Sequence, residues 1–203
     1  MGRLRYGMLV SLDGYARDAA GSFDWAAPDD ELHAYVNERE GGIRTYVFGR
    51  GMWETMRYWE NPPAVDLTAP EHDEFVAIWK QTDKVIVSTT MDPPSEPRTE
   101  LWAHLDLPRL ATLVGESPTD VSIGGPTLAA HALQAGLVDE ITAYVMPHVA
   151  GGGLRWLPGG FTSRLELREH RAFDSGAVAV VYDVERTTRD HRDRTSECRR
   201  GRP

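Results

Sequence analysis

The sequence predicts an α/β protein whose mostly parallel sheet is covered by helices on both faces, a three-layer α/β/α arrangement that closes with an antiparallel hairpin. Three observations carry this. Short apolar runs alternate with amphipathic stretches up to about residue 147, the pattern of βα units that bury both faces of a parallel sheet. Two of these runs lead through glycine straight into helical patterns, at Gly49-Arg50 and at Gly124-Gly125. The last two runs flank Asp174-Ser175-Gly176, a hairpin signal.

Each element has a local reason. Residues 6–10 (Tyr-Gly-Met-Leu-Val) form a buried strand stopped by the turn dipeptide Asp13-Gly14. A loop through Gly21 and Pro28 follows, and residues 29–39 then carry acids in a first helical turn, where they complement the dipole. Residues 45–49 are a second strand, and the proline-bearing stretch 61–70 is a loop. Residues 71–81 read as a helix with Phe75, Ile78 and Trp79 as its apolar stripe. Residues 84–88 are a strand, 108–114 a helix, and 120–123 a strand that runs into the paired glycines. Pro126 suits the first turn of the next helix, 126–137, and Gly136 its end. Residues 140–147 form a long strand, and 165–173 with 177–184 the arms of the hairpin.

Composition bounds the function. The chain has 203 residues, 41% hydrophobic and 26% charged, which suits one globular domain, expected over residues 1–186. No apolar run reaches the roughly 20 residues of a membrane span. Residues 1–6 lead straight into a strand without an apolar leader, so a cytoplasmic location is expected. The single cysteine, Cys198, argues against a disulfide framework or a cysteine-rich zinc site, and His131 and His148 lack partners at metal spacing, so no metal is expected. A net charge of −9 argues against nucleic acid as a partner. Residues 187–203 differ, with six arginines against three acids and no large apolar residue, and read as a disordered tail.

In an open α/β sheet, ligands bind beyond the carboxyl ends of the strands. Three such ends are informative here. At Gly49-Arg50-Gly51-Met52-Trp53-Glu54 a strand delivers glycine and arginine to a helix start, whose free N–H groups favour phosphate. Taken alone, a plain turn explains it as well. At Val87-Ser88-Thr89-Thr90 three hydroxyls could meet a ribose phosphate, although the run alone reads as a capped turn. At Ile123-Gly124-Gly125-Pro126-Thr127 paired glycines let a pyrophosphate approach the backbone. The G-x-G-x-x-G fingerprint of ordinary dinucleotide folds is absent.

Taken in order, these segments resemble the cofactor signature of the dihydrofolate-reductase superfamily. Ser11-Leu12-Asp13-Gly14 and Gly136-Leu137-Val138-Asp139-Glu140 make the chain more similar to one branch, the reductase domain of riboflavin-biosynthesis deaminase–reductases and its stand-alone relatives, over residues 4–186. The resemblance implies a dihydrofolate-reductase-like fold, NADPH as cofactor, a small-molecule substrate and a homodimer through the C-terminal edge strands. It implies that Gly49, Arg50, Met52, Trp53, Ser88, Thr89, Gly124, Gly125, Pro126 and Thr127 belong to the cofactor site. Arg50 with Ser88 or Thr89 would hold the adenosine 2′-phosphate, and Gly124-Gly125 would line the pyrophosphate through a cis peptide. Met52 stands where many relatives have threonine.

The substrate end rests on fewer residues. Asp13, just past the first strand, is a candidate catalytic and substrate-binding carboxylate, or the first residue of a simple Asp-Gly turn. Trp25-Ala26-Ala27-Pro28-Asp29-Asp30 has the spacing found before the acidic helix of dihydrofolate reductases, which would make Asp30 catalytic and Trp25 a substrate contact. Equally, Asp29 and Asp30 cap a helix. Tyr144 lies on a strand that in relatives approaches the nicotinamide. The leading expectation is an NADPH-dependent reductase of a small heterocycle. The rivals are 5-amino-6-(5-phosphoribosylamino)uracil reductase, against which stands the lack of basic residues near Asp13 and Trp25, dihydrofolate reductase proper, and a non-catalytic NADPH-binding protein.

Overall fold

Alternation of side chains across the pleat decides how this chain layers. The computed structural model describes residues 2–67 and 69–185. Along the chain come β1 (Leu4–Ser11), β2 (Tyr15–Arg17), α1 (Asp30–Glu40), β3 (Thr45–Gly49), α2 (Arg50–Met56), α3 (Pro70–Gln81), β4 (Asp83–Val87) and β5 (Thr99–Trp102). They are followed by α4 (Leu107–Glu116), β6 (Val121–Gly124), α5 (Pro126–Gln134), β7 (Glu140–Met146), β8 (Leu154–Arg155), β9 (Leu165–Ala172) and β10 (Val178–Val184). Eight strands form one sheet in the order β5-β4-β3-β6-β1-β7-β10-β9, while β2 and β8 pair apart from it. The strands from β5 to β7 run parallel, and β10 and β9 add antiparallel neighbours at the edge. This is the mixed α/β, dihydrofolate-reductase-like architecture read from the sequence.

One face of the sheet presents Leu4, Tyr6, Val47, Ile123 and Ile141 to Leu110 of α4 and Ala129 and Leu133 of α5. The intervening residues turn the other way. Tyr46, Phe48 and Ile86 meet Trp53 of α2 and Phe75 and Trp79 of α3, and Tyr144 and Met146 meet Leu32 and Tyr35 of α1. Three aromatic stacks, Tyr46 on Phe48 at 5.1 Å and Trp79 on Tyr46 and Trp53 at about 6 Å, give the α3 side its large apolar area. Helix α1 is capped by Asp29, whose carboxylate accepts from the Leu32 amide at 2.9 Å, a cap worth about 1 kcal/mol.

The differences from expectation are local. β2, β5 and β8 were not foreseen, because two to four residues carry too little periodicity and all three lie at an edge or outside the main sheet. The loop 61–70 holds a short 3-10 turn at Ala64–Asp66. Helix α5 stops at Gln134, and Gly136, at φ +68°, takes the left-handed position beyond it. Among the described residues there is no cis peptide, so the Gly124–Gly125 link is trans; the turn is made by Gly125 at φ +93° instead. The arginine-rich segment 187–203 lies outside the described residues. No described helix is long and apolar enough to cross a membrane.

Candidate functional site

A cleft of about 790 Å³ opens where β3 and β6 hand over to α2 and α5. Gly49, Arg50, Met52, Gly124, Gly125, Pro126 and Thr127 line it, and Tyr144 reaches it from β7. β3 and β6 are paired neighbours with Phe48 opposite Gly124, which brings the two glycine-led turns side by side. The packing explains why glycine stands there. A Cβ on Gly124 would come within 2.6 Å of the Phe48 ring, and one on Gly125 would meet Met52 at 3.4 Å in a backbone conformation that only glycine adopts freely. Met52 thus closes against the double glycine as an apolar wall. Pro126 opens α5 without an N–H to lose, and the other first-turn amides have no partner within the helix.

Arg50 stands at the mouth, 53% exposed, with its Nε donating to Glu54 at 2.8 Å and its Nη1 to the Thr90 hydroxyl at 3.2 Å. The Ser88 hydroxyl accepts the Thr90 and Met91 amides at 3.2 Å each, and Thr89 is exposed beside it. Both residues sit at this rim; neither lines the cavity. Trp53, 1% exposed, lies in the α3 core against Trp79.

The three other candidates for the substrate end lie off the cavity. Asp13 accepts from the Ser11 hydroxyl at 2.7 Å and from the Ala150 and Gly151 amides at 2.9 and 2.8 Å. The Ser11 bond, then the Ala150 amide, hold its carboxyl down to about 2, so it is ionised at neutral pH and has no proton to give. It fastens the loop that follows β7. Trp25 stacks on His148 of that loop at 5.0 Å, and Asp30 is exposed in the first turn of α1.

Sequence reasoning missed residues that do line the cleft: Arg17, Glu40, Tyr46 and Ser122. Arg17 donates to the Gly21 carbonyl at 3.2 Å and the Thr55 hydroxyl at 3.4 Å, and lies over the Phe23 ring. Glu40 ends α1 with its carboxyl surrounded by protein, and burial pushes it above the usual carboxylate range against the pull of Arg5. The Tyr46 hydroxyl stands beside it and interacts with that carboxyl. Burial also pushes Tyr46 and Tyr144 well above the ordinary phenol range. The signal for these residues was tertiary: nothing in the local pattern separates Glu40 from a solvated helix end.

A family model described as the RibD C-terminal domain matches residues 3–179. Among solved structures, the chain is similar to a putative riboflavin biosynthesis protein from Shewanella, at 18% identity over 91% of this chain and 99% of that one, TM-score 0.67. It is similar to RibD of Acinetobacter baumannii at 19% identity, covering 91% of this chain and 58% of that one, TM-score 0.68. It is also similar to dihydrofolate reductase from Enterococcus faecalis complexed with NADP(H), at 13% identity over 90% and 96%, TM-score 0.58. At such identities the likeness is one of fold. No curated protein matches the chain.

Proposed function

The chain belongs to the RibD C-terminal domain family, and from that premise we propose that it is a reductase that takes NADPH and acts on a small heterocyclic substrate. The observation that carries the reading is the pair of glycine-led strand-to-helix turns set side by side on one wall of the cleft. Backbone without side chains, first-turn amides and a guanidinium at the rim are the chemistry a dinucleotide phosphate needs. The residues fit the group. Gly124, Gly125 and Thr127 would lie against the pyrophosphate, and Arg50, with Ser88, Thr89 and Thr90 beside it, would take the 2′-phosphate. The bound dinucleotide supplies the hydride.

The chain's own work is to hold and shield. Met52, Phe48 and Leu9 give the cleft apolar walls, and the Asp13 clamp fixes the loop behind β1 and β7. The apolar walls line the space where substrate and nicotinamide would meet. A second reading, a 5-amino-6-(5-phosphoribosylamino)uracil reductase, is favoured by Arg17, which gives the cleft a cation for an anionic substrate group. A homodimer through the C-terminal edge is proposed with either reading, since β9 leaves Leu165 and Leu167 exposed.

Titration with NADPH and with NADH, read by tryptophan quenching and energy transfer to the nicotinamide, tests the reading. Saturable binding, tighter for NADPH, is the expected result. Binding of neither nucleotide would remove the reductase assignment.

A further inference from the structure

On one side the cleft is bounded by α1 and α3, which pack against each other, and histidine makes much of that contact. On α1, His33 stands one turn before Val36, and on α3, His72 stands one turn before Phe75. Each imidazole therefore shares a helical face with a residue that lines the cleft. The two rings lie 5.1 Å apart and are tilted to one another. Trp59, from the 3-10 turn Arg57–Glu60, covers both, edge-on to His33 at 5.6 Å and tilted to His72 at 6.2 Å. Phe75 lies 5.8 Å from His33. One turn further along α1, the Asn37 amide donates to the Glu71 carbonyl at 2.8 Å and to the Glu74 carboxylate at 2.9 Å, fastening the same two helices.

The surroundings of this pair resist positive charge. His33 is 6% exposed, and His72 is half-buried. The Asp66 carbonyl, 2.9 Å from His72 Nδ1, can only accept, so that nitrogen already carries its proton. Both histidines stand near the starts of their helices, where the dipole opposes a cation. The acids facing His33 are Asp30 of its own helix and Glu71 and Glu74 of α3. The neighbouring 3-10 turns add Asp66, whose carboxylate accepts from Tyr58, and Glu60, which accepts from Trp79 and pairs with Lys84. Burial, and after it the His72 ring, outweigh the pull of Glu71, Asp30 and Glu74 and hold the His33 imidazole below its ordinary range.

We propose that His33 and His72 form a proton-operated joint, closed while His33 is neutral and opened when His33 takes a proton, which releases α1 from α3 along the wall of the cleft. The wall that moves carries Val36 and Glu40, so the joint sets the width of the cleft on that side and leaves the glycine turns of β3 and β6 in place. The folded form binds the His33 proton less readily than the unfolded chain, whose histidine titrates at about 6.5. The contact therefore stabilises fully above about pH 6.5 and loses its contribution as pH falls below that value. The inference goes beyond the reductase reading and stands without it.

The test follows histidine ring protons by NMR on the full chain between about pH 7.5 and 5, together with backbone amide exchange corrected for its intrinsic pH dependence. It compares the wild type with His33→Gln and His72→Gln. In the wild type the Asn37 and Phe75 amides should exchange several-fold faster at the acid end, while those of Ala143 and Val181 in the sheet keep their rates. His33→Gln should abolish the acceleration. His72→Gln should raise the His33 midpoint and shrink the acceleration, because the repelling ring is gone. Acceleration that survives in His33→Gln, or that appears equally at Ala143 and Val181, overturns the inference. Should His33→Gln fail to fold, His72→Gln decides: an unmoved His33 midpoint with undiminished acceleration overturns it as well.

Discussion

The two ends of the central strands treat charge in opposite ways. At the amino ends, Glu140 is 3% exposed and accepts from Arg3, Arg5, Arg39 and Arg168. Asp183 and Glu169 take up what those guanidiniums have left over. At the carboxyl ends, Arg50 holds, among the described residues, only its helical neighbour Glu54 and a threonine, and the glycine turns bare their backbone. Charge answered within the chain builds the fold, and charge left open is available to a ligand. The same number of guanidiniums would mean little without knowing which of them are spoken for.

Glu140→Ala should break this contrast most severely. It leaves Arg5 and Arg39, both nearly buried, without their shared acceptor, and a loss of about 3–5 kcal/mol is expected in urea unfolding. Nucleotide affinity of the folded fraction should not change; a fall in affinity equal to the loss of stability would join the two ends that the comparison separates. Gly124→Ala should act on both counts, because its Cβ would press on the Phe48 ring at 2.6 Å. Unfolding should show about 1–3 kcal/mol of overpacking, and titration a marked loss of NADPH binding. Arg50→Ala should leave stability within about 0.5 kcal/mol, as its surface pair with Glu54 contributes little. NADPH affinity should nevertheless fall by roughly tenfold, with NADH unaffected.

The smallest effect belongs to Asp13. Its carboxyl is held at about 2, below the ordinary value of about 4. The folded form therefore binds its proton less readily than the unfolded one, and the clamp on Ala150 and Gly151 is complete above about pH 4 and lost as pH falls toward 2. Hydrogen exchange at those two amides should accelerate across that window, and Asp13→Asn should flatten the dependence. Exchange that is flat in the wild type would mean the loop is held by something else, such as the Leu12 amide on the His148 carbonyl.

How much of this was legible follows from the range of each cause. The strands from β1 to β7 and the double glycine were readable, since alternation and a positive φ act within a few residues. Asp13 was readable as a turn, but the amides it holds lie 137 and 138 positions away. Trp53 sits inside a cofactor-like motif, yet the turn of α2 aims it at Trp79; composition cannot separate a core aromatic from a ligand platform. Glu40 precedes Gly41-Gly42 and looks like a solvated helix end, and only the packing of α1 over Tyr46 encloses it. Arg17 rides on a strand of three residues, too short to announce itself.

One feature of the sheet concerns the order in which the molecule is made. β1 precedes the other strands of this sheet in sequence, and it lies at the centre of the sheet, with Leu4 opposite Val121 and Arg5 opposite Glu140. Its neighbours are translated more than a hundred residues later, so the strand has to wait, apolar and unpaired, while β3, β4 and β5 associate among themselves. The sheet closes only when β6 and β7 arrive on either side of it. Folding of this sheet during synthesis therefore ends at its earliest strand, and loss of that one strand would split the sheet through its middle.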